Sequence, residues 1–245
     1  MSEIEVLKRF LSFPLWNSDA VFEEFGKING AIFRENPERL KERFLFIRGK
    51  RHDKVVLVAH ADTCFDESYG YNPSPHSLVE KNGIISSKNE GNLGLGADDR
   101  AGCAILWILR ESGHSILITD GEEGGGRGSK WLVNNHPDIL EVLNNHQFMI
   151  QLDRRNAKEF KCYRVGTDRF REFISAQTGY FESDKFSYTD IVTLCQDICG
   201  VNFSIGYYNE HSANEYLVIC EWLNTLYMLQ KLLEKPVLER FELEE

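Results

Sequence analysis

No apolar run in this chain approaches the ~20 residues needed to span a bilayer, and no membrane association is expected. Basic residues are scarce: 28 Lys and Arg against 38 Asp and Glu leave a formal charge of −10. Binding nucleic acid requires a cationic face to neutralise phosphates, so no nucleic-acid partner is expected. The opening residues, MSEIEVLKRFLSF, read as an amphipathic helix and lack the basic start and small-residue cleavage site of a secretory signal. The six cysteines (Cys64, Cys103, Cys162, Cys195, Cys199 and Cys220) form no C-x-x-C pair and read as reduced thiols of a cytoplasmic protein. H-E-x-x-H and G-x-S-x-G are absent, and Gly128-Ser129-Lys130 lacks the spacing of a Walker loop. A single-helix zinc protease, a serine nucleophile elbow and a phosphate loop are thereby excluded. No internal repeat or low-complexity tract appears.

What is present suits a large folded core. With 245 residues, 42% of them hydrophobic, residues 1–245 are expected to form one domain. Helical spacing marks residues 3–12, and Asn17-Ser18-Asp19 caps a second helix to about residue 28. RFLFIRG (43–49) and KVVLVAH (54–60) flank a turn-like link and are expected to be a hairpin or adjacent strands. The segment 64–83 is irregular, and Ile84–Ser87 forms a short strand. A largely apolar helix follows Asp99, then the buried strand HSILITD (114–120), then helix from Ser129 that resumes after Pro137. FMIQLD, EFKCYRV and VNFSIGYY are strands, with helix DRFREFISAQ (168–177) between the second and third. Helical periodicity runs from Ala213 to Glu234, and the acidic tail Glu239–Glu245 is expected to fray. This alternation predicts an α/β fold, a three-layer α/β/α sandwich around a mixed, mostly parallel sheet.

Five metal-type ligands punctuate that pattern: His60, Asp98, Glu123, Asp153 and His211. In four of the five tracts a β-prone run ends at or just before the polar group; the Asp98 tract is Gly-rich and opens a helix. Groups at the carboxyl ends of strands converge on one edge of the sheet, the crevice where open α/β folds bind ligands. Two imidazoles and three carboxylates suit a pair of zinc-like ions. In His60-Ala61-Asp62, residues i and i+2 share a face of the extended chain, so Asp62 can accept from the imidazole and fix its tautomer. Asp98-Asp99 follows Gly94-x-Gly96. A dinucleotide loop would place Asp99 against a pyrophosphate, and simple helix capping does not need two carboxylates, so a bridging ligand is the better reading. In Glu122-Glu123 one carboxylate can bind metal while its neighbour reaches an attacking water, although a solvated acidic turn would look the same. Asp153 alone could be an ion-pair partner of Arg154 or Arg155, and His211 alone a helix-cap histidine.

As a set, H-x-D, G-x-x-D-D, E-E-x-G, a lone Asp and a C-terminal His resemble the co-catalytic zinc exopeptidases, from about residue 54 to residue 234. That superfamily includes aminopeptidases, the aminoacylase and tripeptidase group, and glutaminyl cyclases. The resemblance implies two divalent ions, most simply zinc, with His60 and Asp153 on one, Glu123 and His211 on the other, and Asp98 bridging. It further implies Glu122 as general base, Asp62 as the partner of His60, and a cis peptide between Asp98 and Asp99. The interval from Asp153 to His211 has no room for the lid or dimerisation domain of the tripeptidase branch, so the compact aminopeptidases are the nearer likeness. Thr189-Asp190 resembles the Ser/Thr-Asp element before the last strand better than Ser183-Asp184 does. Tyr180 and Tyr207 are candidates to polarise an oxyanion.

The implied activity is hydrolysis of a peptide or small amide, with aminopeptidase specificity ahead of carboxypeptidase or amidohydrolase. A glutaminyl cyclase, or a binding module without activity, are the alternatives. An aminopeptidase needs a spare carboxylate for the substrate ammonium, for which Asp190 and Glu210 are candidates. A carboxypeptidase needs a guanidinium, from Arg127, Arg154 or Arg155. Arg154 and Arg155 alternate in direction, so at most one is expected to face the site.

Overall fold

A computed structural model of the chain describes residues 1–65, 75–88, 93–183 and 187–243. Elements follow in the order α1 (Glu3–Leu11), α2 (Asp19–Gly26), β1 (Ala31–Glu35), β2 (Arg43–Ile47), β3 (Val56–His60), β4 (Leu78–Lys81) and β5 (Ile84–Ser87). Then come α3 (Ala97–Ile108), β6 (Ser115–Thr119), α4 (Arg127–Asn135), α5 (Pro137–Asn144), β7 (Met149–Arg154) and β8 (Glu159–Lys161). The chain continues through α6 (Asp168–Thr178), β9 (Phe181–Glu182), α7 (Ile191–Leu194), β10 (Gly200–Ser204), β11 (Tyr207–Tyr208), β12 (Tyr216–Val218) and α8 (Ile219–Leu233).

Eight strands form one sheet in the order β1-β2-β6-β3-β7-β10-β8-β9. Its centre, β6-β3-β7-β10, is parallel, and β2 and β8 add antiparallel neighbours on either side. Alternation along the strands explains the layers. Leu57 and Ala59 of β3, with Ile116 and Ile118 of β6, join a core shared with α1, α3 and α8. Val56, Val58 and Leu117 point the other way, into a second core with α4, α5 and α7. Strands buried on both faces read as continuous apolar runs, which is why SILIT and VLVAH are central. The fold is therefore the expected three-layer α/β/α sandwich with a mixed, largely parallel sheet. Among the described residues no helix is long and apolar enough to cross a membrane, and all six cysteines are free.

Leu78–Lys81, inside the segment expected to be irregular, is strand β4 paired with β5, and four further local expectations need correction. β2 and β3 are not neighbours, because β6 pairs with both. The link between them crosses the start of β6, where Gly49 donates to Ser115 Oγ at 2.8 Å and Arg51 N to Gly113 O at 3.0 Å. A Cβ on Gly49 would lie 2.3 Å from Gly113 O, so the crossing needs glycine. The partner of β2 in the hairpin is β1, which sequence patterning misses because its residues are half-buried or exposed. Second, Tyr216–Val218 is a strand rather than helix: β12 joins β11, β5 and β4 in a small second sheet. Spacing of three between Tyr216 and Ile219 fits a helix, but the β-prone Tyr-Leu-Val run pairs with β5 first. Third, β8 ends at Lys161, and Cys162–Val165 turns, with Tyr163 at a positive φ of 53°. Fourth, residues 239–243 are docked, not frayed. Phe241 is buried against Phe148, Phe170 and Phe173, and Glu242 bridges to Ile198. Residues 66–74 of the expected irregular segment, Asp184, and residues 244–245 lie outside the described residues.

α1 and α3 illustrate how sequence becomes packing near the site. Ser2 and Glu5 cap α1 reciprocally, and its Phe10 and α2's Phe25 both press on Trp107 of α3. From Ala97 to Leu106 every residue of α3 is buried. Gly102 permits this: a Cβ there would meet Asp99 Oδ1 at 2.2 Å and Leu152 O at 2.3 Å. Trp222 of α8 is fully buried and donates from Nε1 to Ala101 O at 3.0 Å, tying α8 to the same helix.

Candidate metal centre

The carboxyl ends of β3, β6 and β7, the start of α3 and the turn after β11 meet at one cleft. His60 ends β3, and its imidazole is buried. Its Nε2 lies 3.1 Å from Asp98 Oδ1 and 3.4 Å from Asp153 Oδ1. Across the cleft, His211 Nε2 lies 2.9 Å from Glu123 Oε2 and 3.2 Å from Asp98 Oδ2. Asp98 thus presents one oxygen to each imidazole, and all five candidate ligands named from sequence come together.

Supporting groups explain the placement. Asp62 faces His60 Nδ1, with its Oδ1 at 3.3 Å and its carbonyl at 3.1 Å. The same carboxylate accepts the backbone N–H groups of Glu122 and Glu123, at 3.1 and 3.2 Å, and so fixes the acidic turn as well. The Asp98–Asp99 peptide is cis, as the resemblance implies. Asp99 lies near His60 and Asp153, yet its two oxygens accept from His60 N at 3.1 Å and Gly102 N at 3.0 Å. These bonds commit Asp99 to holding β3 and α3, and leave Asp98 facing the cleft. Asp153 is steadied by Thr189 Oγ1 at 2.7 Å, in keeping with the choice of Thr189-Asp190 as the element before the last strand. Asn202 spans the register shift between β7 and β10: its amide accepts from Asp153 N and donates to Asp153 O, both at 2.9 Å.

Several of these supports were not named from sequence. Gln151 and Asn202 are lone amides inside apolar strands, and that contrast was a usable signal. Glu215 is buried and accepts from Gly96 N at 2.7 Å and Asp98 N at 3.2 Å, which pins the Asp98 loop. Nothing in its local pattern sets Glu215 apart, because its partners are more than a hundred residues away. Asp120, fully buried at the end of β6, takes Ser18, Lys41 and Arg43 as donors and anchors the turn that carries Glu122.

The electrostatics fit cations. Burial, then the nearby Asp153 carboxylate, push Glu122 up to about 10. Burial and Asp98 push Asp153 up to about 7. Hydrogen bonds to Asp98 and Glu123 raise His211 to about 11. Burial would lower His60, but Asp153, Asp62 and Asp98 overcome it and hold its imidazole well above the usual value. Glu122 and Asp153 resist ionising chiefly because they are buried and secondly because a carboxylate lies nearby, and a bound cation would relieve both. Among the described residues Glu123 Oε1 is buried without a hydrogen-bond partner, an acceptor that a cation would satisfy. The distances agree: a tetrahedral ion bonded at about 2.0–2.1 Å separates its donors by roughly 3.3 Å. His60, Asp98 and Asp153 could hold one ion; Asp98, Glu123 and His211 could hold another.

The cleft is small, about 140 Å³. Beyond the candidate ligands Asp98, Glu123, Asp153 and His211 and the nearby Glu122, it is lined by Tyr163, Tyr188, Tyr207, Ser187, Glu210 and both Arg154 and Arg155. The expectation that only one arginine faces the site is therefore corrected. β7 ends at Arg154, so strict alternation does not extend to Arg155. Arg154 is buried and bonded to Ser183, Ser187 and Glu159, whereas Arg155 pairs with Glu210 at the rim. Tyr207 donates to Asp153 Oδ1 at 3.4 Å, while Tyr180 bonds Thr225 and lies apart. Asp190 is buried behind the cleft, bonded by Thr119 Oγ1, and does not line it. Arg127 packs against Gly124 and is not among the cleft residues.

Neither a family model nor a curated protein matches the sequence. Solved structures do match. Aminopeptidase PepT from Bacillus cereus superposes with a TM-score of 0.65 at 13% identity, over 96% of this chain and 98% of that one. A tripeptidase from Staphylococcus aureus gives 0.66 at 14%, over 95% and 97%. A TET aminopeptidase from a Thaumarchaeota archaeon gives 0.64 at 12%, over 96% and 97%. At 12–14% identity this likeness shows that the chain shares the fold of these peptidases over nearly its whole length.

Proposed function

We propose that residues 1–245 form one catalytic domain of a metal-dependent exopeptidase, most simply a dizinc aminopeptidase acting on short peptides or small N-terminal amides. The observation that carries this reading is the shared Asp98, with one oxygen 3.1 Å from His60 and the other 3.2 Å from His211. Two divalent ions bound there would supply Lewis acidity and bring the pKa of a bound water toward ~7. Glu122, on the cleft wall, takes the proton from the attacking water and later delivers it to the leaving amine. Asp62 orients both His60 and the Glu122 turn, so one carboxylate aligns ligand and base. Tyr207 lines the cleft, and its hydroxyl would turn from Asp153 Oδ1 to donate to the developing oxyanion. All candidate ligands and the base are retained, which favours hydrolysis over cyclisation and over a binding module. Free thiols suit a reducing compartment such as the cytosol.

Aminopeptidase specificity is favoured by Glu210, the carboxylate at the cleft rim beside His211 that is not among the proposed ligands, and by the aminopeptidases of the same fold. One observation supports a second reading. Both Arg154 and Arg155 line the cleft, and Arg155 could exchange Glu210 for a substrate carboxylate. The test pairs one peptide blocked by N-acetylation with the same peptide blocked by C-amidation. Cleavage of the C-amidated peptide is expected. Cleavage of the N-acetylated one alone would transfer the specificity to the arginines and leave the hydrolytic centre standing.

A further inference from the structure

Cys64 lies two residues beyond Asp62, in the turn that leaves β3. That turn is held by Thr63 Oγ1, which donates to Leu15 O at 2.8 Å and accepts from Phe65 N at 3.2 Å. It packs beside a small apolar cluster of Leu15, Phe65 and Leu93. The Cys64 thiol, a Glu123 carboxylate oxygen and a His211 ring nitrogen all lie within 4.8 Å of one another. Glu123 Oε1 is buried and has no hydrogen-bond partner among the described residues.

We propose that the Cys64 thiolate is a fourth protein ligand of the metal position formed by Asp98, Glu123 and His211. The inference rests on the two-ion reading above and adds to it a ligand that reading does not contain. A tetrahedral site with a sulfur bond of about 2.3 Å and nitrogen or oxygen bonds of about 2.0–2.1 Å separates sulfur from its neighbours by roughly 3.6 Å. The observed spacing, within 4.8 Å, exceeds that value by at most about 1.2 Å, which a half-buried side chain at a loop can close. On coordination the thiol proton leaves to solvent and the sulfur binds as thiolate.

This addition makes the two positions unequal. Asp98, Glu123, His211 and Cys64 would complete a closed tetrahedral site, whereas His60, Asp98 and Asp153 keep a coordination place open. The open position is then the one that takes water and substrate carbonyl, and the closed one holds the bridge and the charge. Sulfur at the closed position also selects zinc over harder cations such as magnesium or manganese.

Cobalt(II) and thiol alkylation test the assignment on the full chain. Cys220, the exposed thiol, is replaced by Ser to leave Cys64 as the accessible one. After removal of metal and titration with cobalt(II), a near-ultraviolet thiolate-to-cobalt charge-transfer band is expected for one of two bound ions. That band should be missing from Cys64→Ala, which should also bind the ion roughly 10–100-fold more weakly. In the chain that retains Cys64, two equivalents of zinc should slow iodoacetamide alkylation of this residue at least about tenfold. Two bound ions with no charge-transfer band and unchanged alkylation would overturn the Cys64 ligand alone. Failure to bind any ion would overturn it together with the two-ion reading.

Discussion

At the amino ends of β3, β6 and β7, two buried histidines are neutral and fully satisfied. His114 accepts from Val55 N at Nδ1 and donates from Nε2 to Leu233 O, so its tautomer is fixed by partners that can act in only one sense. His146 donates from Nδ1 to Val142 O and accepts from Ser115 Oγ at Nε2. Burial lowers both to about 4. At the carboxyl ends of the same strands, His60 and His211 face carboxylates and are raised instead. At the first end both rings are matched within the protein; at the other, Glu123 Oε1 is buried without a hydrogen-bond partner among the described residues. The difference separates a histidine that builds the fold from a histidine that serves a site. Burial alone does not make the distinction, since His60 and His146 are both almost wholly buried.

That contrast is broken most severely at the carboxyl end. Glu122→Gln should keep fold and metal while reducing amide turnover about a hundredfold or more, because the turn and its Asp62 bonds remain and only the proton shuttle is lost. Metal analysis beside kcat checks this, and loss of metal from Glu122→Gln would exchange the roles of Glu122 and Glu123. His211→Ala should instead lose an ion first, with activity following metal content in a zinc titration.

A step further from the cleft, Glu215→Ala removes the acceptor of Gly96 N and Asp98 N. Metal affinity should fall roughly 10–100-fold while fold and cleft-wall residues persist. An unchanged affinity would show that Gly96 and the cis-linked loop hold Asp98 without Glu215.

The amino end should respond only to acid. Each of His114 and His146 has a folded pKa below the ~6.5 of a free imidazole, so between pH 6.5 and 4 the unfolded chain binds more protons. The stability they contribute is complete above about pH 6.5 and is lost as pH falls through that window. Each contributes roughly 3 kcal/mol across it. Urea unfolding of the metal-free chain at pH 7 and pH 4.5 should show the fall, and His146→Gln should flatten it. The same slope in His146→Gln as in the parent chain would place the acid sensitivity elsewhere.

Much of the carboxyl end was legible because it is written locally. His60, Glu122, Glu123 and Asp153 each lie at or just beyond a strand end, and chain order alone brought them together with Asp98 and His211. Central strands were legible for the same reason, as apolar runs. What stayed hidden depends on long-range pairing. β6 was read as a strand, but nothing local says that it enters between β2 and β3. β4 was overlooked although Asn82-Gly83 is a hairpin signal between it and β5. Tyr216–Val218 fits two periodicities at once, and pairing with β5 decided between them. Glu215 and Cys64 carry no pattern of their own, and only the folded chain sets them beside Asp98 and Glu123. The expectation that at most one of Arg154 and Arg155 faces the site failed because strand alternation was extended one residue past the strand.

The proposed function requires cations at the carboxyl end of the sheet. The most direct measurement is metal content per chain, with amide hydrolysis and thermal unfolding followed through chelation and restoration. About two zinc-like ions per chain are expected. Their removal should abolish hydrolysis and lower the melting temperature, because the carboxylates then repel one another unscreened, and zinc should restore both. Full hydrolytic activity in thoroughly metal-free protein would contradict the account.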